Sequence, residues 1–496
     1  MRVPLLVLWA ASTAFLGAGA WTMLRGDAVA ERLDRVEVST APTPPVQAPP
    51  QLAVPRGSLG TPLLVRLRSL LGLVVLTALA WGLSVNRRQI DWRIVAWGLS
   101  LQILFAALIL RTPVGDGVFF AMNGVVVALL GFTLDGARFI FGNLVLDNVP
   151  VGTGTVSSGD FSAIPGQVAN TGAFFAFNVL PTIIFFSSLM TVLYHLGIMQ
   201  MAVKGFAWIM QRTMRTSGAE TLSTAGNIFV GMTEAPLLIK PFVERMTMSE
   251  LMAVMTGGFA TVAGGVLAAY VLMLVAFFPD VAGHLMAASV MSAPAALVVA
   301  KLMQPETEIP ETSGTLQIQV ERQDANLIDA AARGASEGLH LALNVGAMLL
   351  AFVALIAMCN GLLGWLGGTV GWQGVSLELV LGWLLAPLAW LMGVPWVDAP
   401  QVGSLMGVKT VLNEFFAYLQ LAGSLEAGQA LQPRSIVIAT YALSGFANFA
   451  SIAIQLGGIG GIAPSRRQDL SRLGLRAMVG GSLAAFMTAS IAGMLV

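Results

Sequence analysis

Residues 226–238 read GNIFVGMTEAPLL, and this stretch decides what kind of fold the chain can form. It places Thr233 and Glu234 in the middle of an apolar segment that glycine and proline interrupt. The segment is therefore too broken for one plain helix. Non-helical backbone at membrane depth is tolerated only where it is buried in protein or lines a wet cavity, so the stretch predicts a functional hairpin.

A second stretch, residues 411–416, reads VLNEFF and again places a small polar residue and a glutamate, Asn413 and Glu414, inside an apolar segment. A glycine-phenylalanine motif follows each copy: residues 258–264 read GFATVAG, and residues 445–451 read GFANFAS. Either likeness is weak alone in a chain so rich in glycine and alanine. Because the two elements recur in the same order, we interpret them as an internal repeat.

The amino-acid composition indicates whether these hairpins belong to a soluble protein or to a membrane protein. The chain has 496 residues, of which 56% are hydrophobic and 10% charged, and its mean hydropathy is +0.79. Soluble globular proteins carry about 25% charged residues, so neither a soluble multidomain enzyme nor a disordered chain fits. Equal numbers of basic and acidic residues argue against a nucleic-acid partner. With Cys359 as the single cysteine, neither an intramolecular disulfide nor a cysteine-based metal cluster can form. We therefore predict an all-α polytopic membrane protein.

The N-terminal part falls into two segments. Residues 1–24 carry Arg2 and then an apolar stretch, which fits either a cleaved signal peptide or a retained membrane anchor. Residues 25–63 are polar and proline-rich and predict an extended linker. Apolar spans long enough to cross a membrane follow at residues 69–86, 94–110, 172–195, 252–278, 284–303, 341–366, 435–462 and 477–496. Two further apolar segments, 117–134 and 378–395, adjoin glycine, proline or acidic residues and fit an interfacial or re-entrant placement.

Arginines in short loops predict the orientation of the chain. Three arginines between residues 87 and 93 mark one cytoplasmic loop, and four between residues 466 and 476 mark another. The last span then ends outside, so the C-terminus is predicted to be external. The loop at 279–283 has no Lys or Arg and is predicted to be external too. Alternation of the spans then requires that residues 117–134 do not cross.

The charges around the two glutamate hairpins differ. The first hairpin has two basic residues before it and two after it, whereas the second has Asp398 before it, Glu426 after it and little positive charge. The first should therefore enter from the cytoplasm and the second from outside. Such an inverted-topology repeat is typical of secondary transporters, whose binding site lies at the midplane between the repeats.

Glu234 and Glu414 are the strongest candidates for function, because a carboxylate deep in a membrane is costly. The alternative for either is a structural ion pair or a protonated packing residue. Ionised carboxylates only accept hydrogen bonds, so a pair that faces one cavity would suit a polyhydroxylated solute. Phe446 would either stack on a flat ring or simply pack. Other polar groups suit a hard cation such as Na⁺, although each alone also fits a helix–helix hydrogen bond; they are Asn227, Thr233, Thr261, Asn448 and Ser451.

Several motifs in this chain resemble the concentrative nucleoside transporter family. Besides the stretch at 226–238, they are VMSAPA at 290–295, NEF at 413–415, SGFAN at 444–448, APSRR at 463–467 and TASIAG at 488–493. The likeness covers residues 64–496. It implies a homotrimer in which each protomer has its own pathway, with inverted repeats that contain two re-entrant hairpins and two broken transmembrane helices. It also implies nucleoside symport driven by a cation gradient.

The resemblance implies roles for residues at matching positions. The implied substrate-binding residues are Met232, Thr233, Glu234, Val266, Glu414, Phe446, Asn448 and Ser451. Within this set, Glu234 lies near the base, and Glu414 belongs to the group that binds the ribose. The implied sodium site uses backbone carbonyls in part and is formed by Asn227, Val230, Thr233, Thr261 and Val262.

One position departs from the family pattern. The motif usually reads Gly-Gln-Thr-Glu, whereas Met232 stands here at the glutamine position. A thioether is a poor acceptor and has no donor, so it cannot replace an amide that bonds a nucleobase. We therefore predict that a ribose-bearing solute is still carried, with altered or relaxed base preference. Because Asn227 and Thr261 are intact, Na⁺ is favoured over H⁺ as the coupling ion, and no organic cofactor is expected.

The leading interpretation is a cation-coupled nucleoside symporter of the plasma (inner) membrane that works by an elevator-like motion of the hairpin domain. The alternatives are an intramembrane enzyme that uses the paired glutamates as acid and base, and an uncoupled nucleoside receptor or channel. The predicted division of the chain is N-terminal scaffold helices at 64–201, repeat 1 at 202–304, a polar cytoplasmic connector at 305–335, scaffold helices at 336–395 and repeat 2 at 396–496.

Overall fold

The computed structural model describes residues 60–146, 148–153, 162–170, 175–313, 324–369, 371–372, 374–428 and 431–496. The described residues form sixteen α-helices and two β-strands, so the fold is largely helical, as the composition predicts. The predicted leader at 1–24 and nearly all of the linker at 25–63 lie outside the described residues. The chain divides into two compact units of very different size.

The smaller unit contains an antiparallel pair of strands, β1 (Asn148–Thr153) and β2 (Ser162–Asn170). The register of the pair shifts between Pro150 and Gly152. No strand is predicted here from the sequence, because the stretch lacks the sustained alternation of apolar and polar residues that marks one. The structure therefore adds a small sheet to an otherwise helical fold.

The larger unit begins with five helices, which are α1 (Leu63–Gly82), α2 (Trp92–Arg111), α3 (Pro113–Phe141), α4 (Leu180–His195) and α5 (Ile198–Met214). Thr112 starts α3 by accepting a hydrogen bond from the Gly115 N–H, and Gly142 ends it with a φ of 57°. The 29 residues of α3 make one continuous helix of about 43 Å. By length and composition this helix could span a membrane. The expectation that residues 117–134 do not cross stays a prediction.

The first predicted repeat forms four α-helices and a 3₁₀ segment. They are α6 (Gly218–Gly226), the 3₁₀ segment Ala235–Arg245, α7 (Met248–Ala260), α8 (Gly264–Leu274) and α9 (Val281–Met303). The span predicted at 252–278 is thus two helices, interrupted at Thr261, where the backbone is extended. Pro241 lies inside the 3₁₀ segment and lacks the N–H that a regular α-helix needs there, whereas Pro236 stands in the first turn, where proline is tolerated. Pro241 therefore helps to explain why the second arm of the first hairpin is not an α-helix.

The remaining seven helices are α10 (Leu327–Thr369), α11 (Leu377–Met392), α12 (Ala399–Val411), α13 (Glu414–Glu426), α14 (Pro433–Leu443), α15 (Phe449–Ile462) and α16 (Arg467–Leu495). Helix α10 has 43 residues and begins at Leu327, inside the segment 305–335 that is predicted to be a polar connector. Helix α11 has 16 residues, which is short for a membrane span, and the interfacial or re-entrant placement of 378–395 stays a prediction. The span predicted at 435–462 is again two helices, α14 and α15.

The helices of the repeats form the interior of the larger unit. In the most apolar 18-residue stretch of α9, 94% of the residues are buried, compared with 28% in α1 and 17% in α10. The exposed side chains of α10 include large apolar ones such as Leu350 and Trp365. An exposed apolar surface of this extent fits contact with lipid or with another protomer rather than with water.

One end of the larger unit collects the arginine-rich loops. Arg476 donates hydrogen bonds to the backbone oxygens of Leu83, at 2.8 Å, and Met303, at 3.4 Å. The ends of α1 and α9 therefore meet the first turns of α16. Arg466 donates to the Met246 oxygen at 2.6 Å, just before α7. The two loops predicted to be cytoplasmic and the base of the first hairpin thus lie at the same end.

The opposite end holds the base of the second hairpin. Arg434, at the start of α14, donates to the backbone oxygens of Gly393 at 3.0 Å and Gly493 at 2.6 Å. Thr61 donates to the Val496 oxygen at 2.9 Å. Because α16 is one continuous helix, this end lies a full helix length from the arginine-rich loops. The bases of the two glutamate-bearing segments therefore lie at opposite ends of the larger unit, and the inverted repeat stays a prediction.

The two broken helices cross at their interruptions. Gly445 lies between α14 and α15 and has a φ of 115°, which favours glycine because other residues are strained there. A Cβ atom at Gly445 would lie 2.8 Å from the Ala260 oxygen and 2.9 Å from the Phe259 oxygen, at the end of α7. The unwound backbone of both repeats therefore meets at one place.

Candidate functional site

One face of α15 joins the two hairpins. Residues three or four positions apart share a helix face, and on α15 this face begins at the N-cap and carries Asn448, Ser451, Gln455 and Gly458. Its N-terminal end contacts Glu414 of the second hairpin. Its later turns contact Met232 and Thr233 of the first hairpin. The face therefore brings residues from both repeats to one strip of the molecule.

Glu414 is the first residue of α13 and is only 3% exposed. Asn413 caps this helix by accepting a hydrogen bond from the Phe416 N–H at 2.9 Å, which fixes the hairpin tip. Glu414 Oε1 accepts from the Tyr270 hydroxyl at 2.9 Å, and Oε2 accepts from Asn448 Nδ2 at 3.0 Å. A carboxylate has about four lone-pair positions, so Glu414 can still accept a hydrogen bond from a hydroxyl of a ligand.

Aromatic rings hold the Tyr270 hydroxyl in place. The Tyr270 ring stacks on Tyr418, with centroids 4.4 Å apart, and meets Phe415 edge to face at 4.8 Å. The Tyr418 hydroxyl donates to the Thr440 oxygen at 2.7 Å. Neither tyrosine is among the site residues predicted from the sequence. The available signal was their rarity, since the chain has four tyrosines and these two sit in apolar segments.

Asn448 has two functions at the start of α15. Its Oδ1 accepts from the Ser451 N–H at 2.9 Å and caps the helix, while its Nδ2 donates to Glu414. Ser451 is buried one turn further on, and Phe446 is half-buried in the break. The structure thus brings together Glu414, Asn448 and Ser451, which the sequence predicts to act on the ribose, and adds Tyr270 to them.

Glu234 has a different environment. It lies where the hairpin turn passes into the 3₁₀ segment, and its side chain is exposed, whereas Glu414 is buried. The Thr233 hydroxyl donates to Glu234 Oε1 at 3.4 Å, which is a long hydrogen bond. The carboxylate folds back over Gly231, where a Cβ would collide with it. Val266, which is predicted to line the site, is buried on α8.

Met232 is nearly buried, at 8% exposure, and contacts Gln455 on α15. Gln455 Nε2 donates to the Met255 oxygen at 3.0 Å and lies 3.7 Å from the Met232 sulfur. The carbonyl fixes the orientation of the amide, because it needs a donor. Gln455 Oε1 is buried and has no hydrogen-bond partner among the described residues. Gln455 is not among the site residues predicted from the sequence, although it lies four positions after Ser451 on the same face.

The predicted sodium ligands lie where the first hairpin meets the break between α7 and α8. Asn227 caps the C-terminus of α6, and its Nδ2 donates to the Ser223 oxygen at 3.1 Å. Its Oδ1 is buried and has no hydrogen-bond partner within the described part of the chain. The Gly264 N–H donates to the Phe229 oxygen at 3.0 Å and ties the break to the hairpin turn.

Neutral oxygens dominate this junction. Thr261 and Val262 form the interruption and are 2% and 1% exposed, and Val230 is half-buried in the turn. Over the described ranges, no group of three or more His, Cys, Asp or Glu side chains is placed to hold a metal ion. A cation here would rely on the Asn227 Oδ1 and on carbonyls freed by the break. Such ligands fit Na⁺, as at other broken membrane helices.

A helical membrane fold with broken helices and a polar strip between two hairpins defines a transporter. Comparison with known proteins agrees. Family models described as "Na+ dependent nucleoside transporter" match residues 71–144 (N-terminus) and 284–493 (C-terminus), and one described as "Nucleoside recognition" matches residues 176–277.

Relatives match along most of the chain. An "Uncharacterized transporter" of Haemophilus influenzae is 44% identical over 433 residues, which cover 87% of this chain and 98% of that protein. The "Sodium/nucleoside cotransporter 1" of Rattus norvegicus is 42% identical over 443 residues, and the match spans 64% of its length. A solved structure of CNTnw "in an inward-facing substrate-bound state" is 45% identical, with a TM-score of 0.76, over 87% of this chain and 97% of that one.

The chain belongs to the Na⁺-dependent nucleoside transporter family. The resemblance that the motifs indicate is therefore confirmed. This is a family of transporters, so the alternative of an intramembrane enzyme is excluded.

Proposed function

We propose that the protein is a Na⁺-coupled nucleoside symporter of the plasma (inner) membrane. The observation that carries the proposal is the polar strip of α15, because it links a buried acceptor cluster around Glu414 to the first hairpin. Beside that hairpin lies the Asn227 oxygen without a partner among the described residues. The family description and the name of the rat relative both mention sodium and nucleosides and support the proposal.

In this proposal the second hairpin binds the ribose. Glu414 accepts hydrogen bonds from ribose hydroxyls through its remaining lone pairs, and Asn448 and Ser451 complete the group. Glu234 and Thr233 contact the base from the first hairpin. Phe446 stacks on the base, while Met232 and Val266 line the apolar wall.

The cation binds at the first junction in this proposal. Asn227 Oδ1 is the side-chain ligand that the structure supports most directly, because a buried oxygen without a partner costs about 1–3 kcal/mol. Thr233 and Thr261 add hydroxyls, and Val230 and Val262 add backbone carbonyls. Na⁺ bound here would stabilise the hairpin tip that carries Glu234, which couples the ion to the nucleoside.

For the transport step we propose an elevator-like motion of the two hairpins and the two broken helices against α4 and α10. Close backbone approach between α8 and α4 supports a smooth interface, since a Cβ at Gly265 would lie 3.5 Å from the Ser187 nitrogen. Helix α4 packs as closely on α10, where a Cβ at Gly338 would lie 2.7 Å from the Ser187 Cβ. The exposed apolar side of α10 suits the contacts of a homotrimer. The arginine-rich end is proposed to be cytoplasmic, which places Val496 outside, and the predicted division into scaffold and repeats is retained.

Uptake into proteoliposomes tests the proposal. Labelled uridine and adenosine should accumulate under an inward Na⁺ gradient. An H⁺ gradient alone should not drive uptake, and equilibration without a gradient would indicate an uncoupled channel or receptor. Asn227→Ala should raise the Na⁺ concentration for half-maximal uptake by tenfold or more, while Asn360→Ala on α10 serves as the matched control. A lack of gradient-dependent accumulation of both nucleosides would refute symport.

A further inference from the structure

Lys409 is a buried cation to which the proposed transport cycle gives no role. Its side chain is 0% exposed and lies on the last turn of α12, the first arm of the second hairpin. Nζ donates to the Ala442 oxygen at 2.9 Å and lies 5.8 Å from the centre of the Phe486 ring. Ala442 is in the last turn of α14, where the broken helix leaves its final carbonyls without partners in a next turn. The ammonium therefore bridges the hairpin arm and the break.

The first repeat has a corresponding junction between a hairpin arm and a broken helix, but Asn227 lies there instead of a lysine. Helix α6 corresponds to α12 as the first arm of a hairpin, and α7 corresponds to α14 as the first half of a broken helix. Asn227 ends α6 beside α7, because a Cβ at Gly257 of α7 would lie 3.5 Å from Asn227 Nδ2. The Asn227 oxygen has no hydrogen-bond partner among the described residues. One junction thus presents an oxygen that needs a positive partner, and the other already contains an ammonium.

Both junctions have the same electrostatic requirement. The C-terminal end of a helix carries about half a negative charge, and two such ends meet at each junction, α6 with α7 and α12 with α14. Both places are shielded from water, so a positive charge there is effective. Burial disfavours the charge on Lys409, and the nearby Glu414 carboxylate favours it. A buried lysine without such surroundings would be costly, so its position calls for an electrostatic explanation.

We infer that Lys409 is a tethered cation that takes, in the second repeat, the place that a bound Na⁺ takes in the first. This inference rests on the proposed Na⁺ coupling. Since the protein itself supplies the positive charge at the second junction, only the first junction is open to an ion. One Na⁺ therefore accompanies each nucleoside, and the tip that carries Glu414 is ordered before Na⁺ binds.

Flux ratios test the inference in the full-length protein. Parallel measurement of ²²Na⁺ and labelled uridine uptake should give a ratio near one for the wild type. Lys409→Met removes the charge at similar volume, so the second junction should then need an ion of its own. Its flux ratio should approach two, and its uptake should rise with a higher power of the Na⁺ concentration. Lys240→Met, at an exposed lysine of the first hairpin, should behave as the wild type.

A second measurement does not depend on transport. Na⁺-induced thermal stabilisation in detergent, with choline as the control cation and without nucleoside, should follow a one-site curve for the wild type. Lys409→Met and Lys409→Gln should be less stable in choline and should show a second, weaker Na⁺ phase. Folding of the neutral variants only at high Na⁺ would also support the inference.

Four results would overturn the inference. They are two Na⁺ per nucleoside in the wild type, an unchanged ratio in an active Lys409→Met, the same one-site Na⁺ curve in wild type and variants, and failure of both neutral variants to fold at any Na⁺ concentration. Wild-type uptake that ignores Na⁺ would instead refute the symport proposal. The thermal curves would then still decide whether Lys409 excludes an ion from the second junction.

Discussion

The two hairpin tips differ in how much of their geometry the protein completes by itself. At the second tip, Glu414 is 3% exposed and accepts hydrogen bonds from Tyr270 and Asn448. At the first tip, Glu234 is exposed, and the hydrogen bond that Thr233 donates to it is 3.4 Å long. If the proposed assignment holds, the half of the site that binds the ribose is formed before any ligand arrives, whereas the half that binds the base is completed by the ligand and the cation.

This asymmetry suits a coupled transporter. A preorganised half lowers the entropic cost of binding, since its side chains need not be ordered again. If the other half is ordered only when Na⁺ binds, the affinity for the nucleoside depends on Na⁺. By linkage, the affinity for Na⁺ then depends on the nucleoside by the same factor. In the proposed cycle, Na⁺ at the Asn227 junction orders the first hairpin, and Lys409 keeps the second hairpin ordered without an ion.

The largest expected effect comes from Gly445→Ala, which acts where the two halves meet. Alanine is strained at a φ of 115°, by about 1–3 kcal/mol, and its Cβ would lie 2.8 Å from a backbone oxygen of Ala260. The break would have to shift, and both tips would shift with it. We expect uridine uptake to fall by about 100-fold or more. Gly457→Ala is the control, because a Cβ at Gly457 meets nothing within 4 Å. Equal activity of the two variants would contradict the crossing of the breaks.

Replacement of the two glutamates tests the comparison directly. Glu414→Gln removes a charged acceptor whose position is already fixed by hydrogen bonds. Because hydrogen bonds to charged groups contribute about 1.5–3 kcal/mol, ribonucleoside uptake should fall by roughly 10- to 100-fold. Glu234→Gln should cost less, because that side chain is exposed, whereas Glu414 is buried. The measurement is kcat/KM for uridine in proteoliposomes, with nucleoside affinity determined separately. If Glu414→Gln left uptake intact, the ribose assignment would be wrong, and equal losses would abolish the asymmetry.

Tyr270→Phe should have a smaller effect in the same direction. It removes one hydrogen bond to Glu414 and leaves the stacked ring in place, so nucleoside affinity should fall by about three- to tenfold. Tyr418→Phe is the matched control, because its hydroxyl donates to the Thr440 oxygen. The control should lower thermal stability without lowering nucleoside affinity. The reverse pattern would mean that Tyr270 is only a packing residue.

Much of the fold could be predicted from the sequence because the signals are local. Composition identifies the membrane class, and the motifs around Glu234 and Glu414 identify two interrupted segments. The loop arginines predict which loops lie together, and Arg476 and Arg466 do bring them to one end. The helix breaks were implied by family resemblance, and the extended backbone at Thr261 shows one of them directly.

The parts that the sequence could not predict depend on contacts between distant residues. Tyr270 and Glu414 are 144 positions apart, and Gln455 and Met232 are 223 apart, so no local pattern relates either pair. Lys409 reads as an ordinary snorkelling or ion-pairing lysine until the end of α14 is placed beside it. Glu234 is exposed and Glu414 is buried, although their sequence motifs look alike, so the motifs do not predict this difference in exposure.

The smallest expected effect comes from Met232→Gln, which alters only the half of the site that is proposed to contact the base. The new amide would lie beside Gln455, whose Oε1 is buried and has no hydrogen-bond partner among the described residues. An added hydrogen bond between neutral groups contributes about 0.5–1 kcal/mol, so the ratios of uptake among uridine, cytidine and adenosine should change by about two- to fivefold. Dependence on the ribose hydroxyls should not change, because Glu414 and Asn448 are untouched. Met232→Leu keeps the position apolar at similar volume and should preserve the wild-type order of bases. If Met232→Gln preserved that order too, base preference would not depend on this position, and the first hairpin would contribute to binding through Glu234 and Thr233 alone.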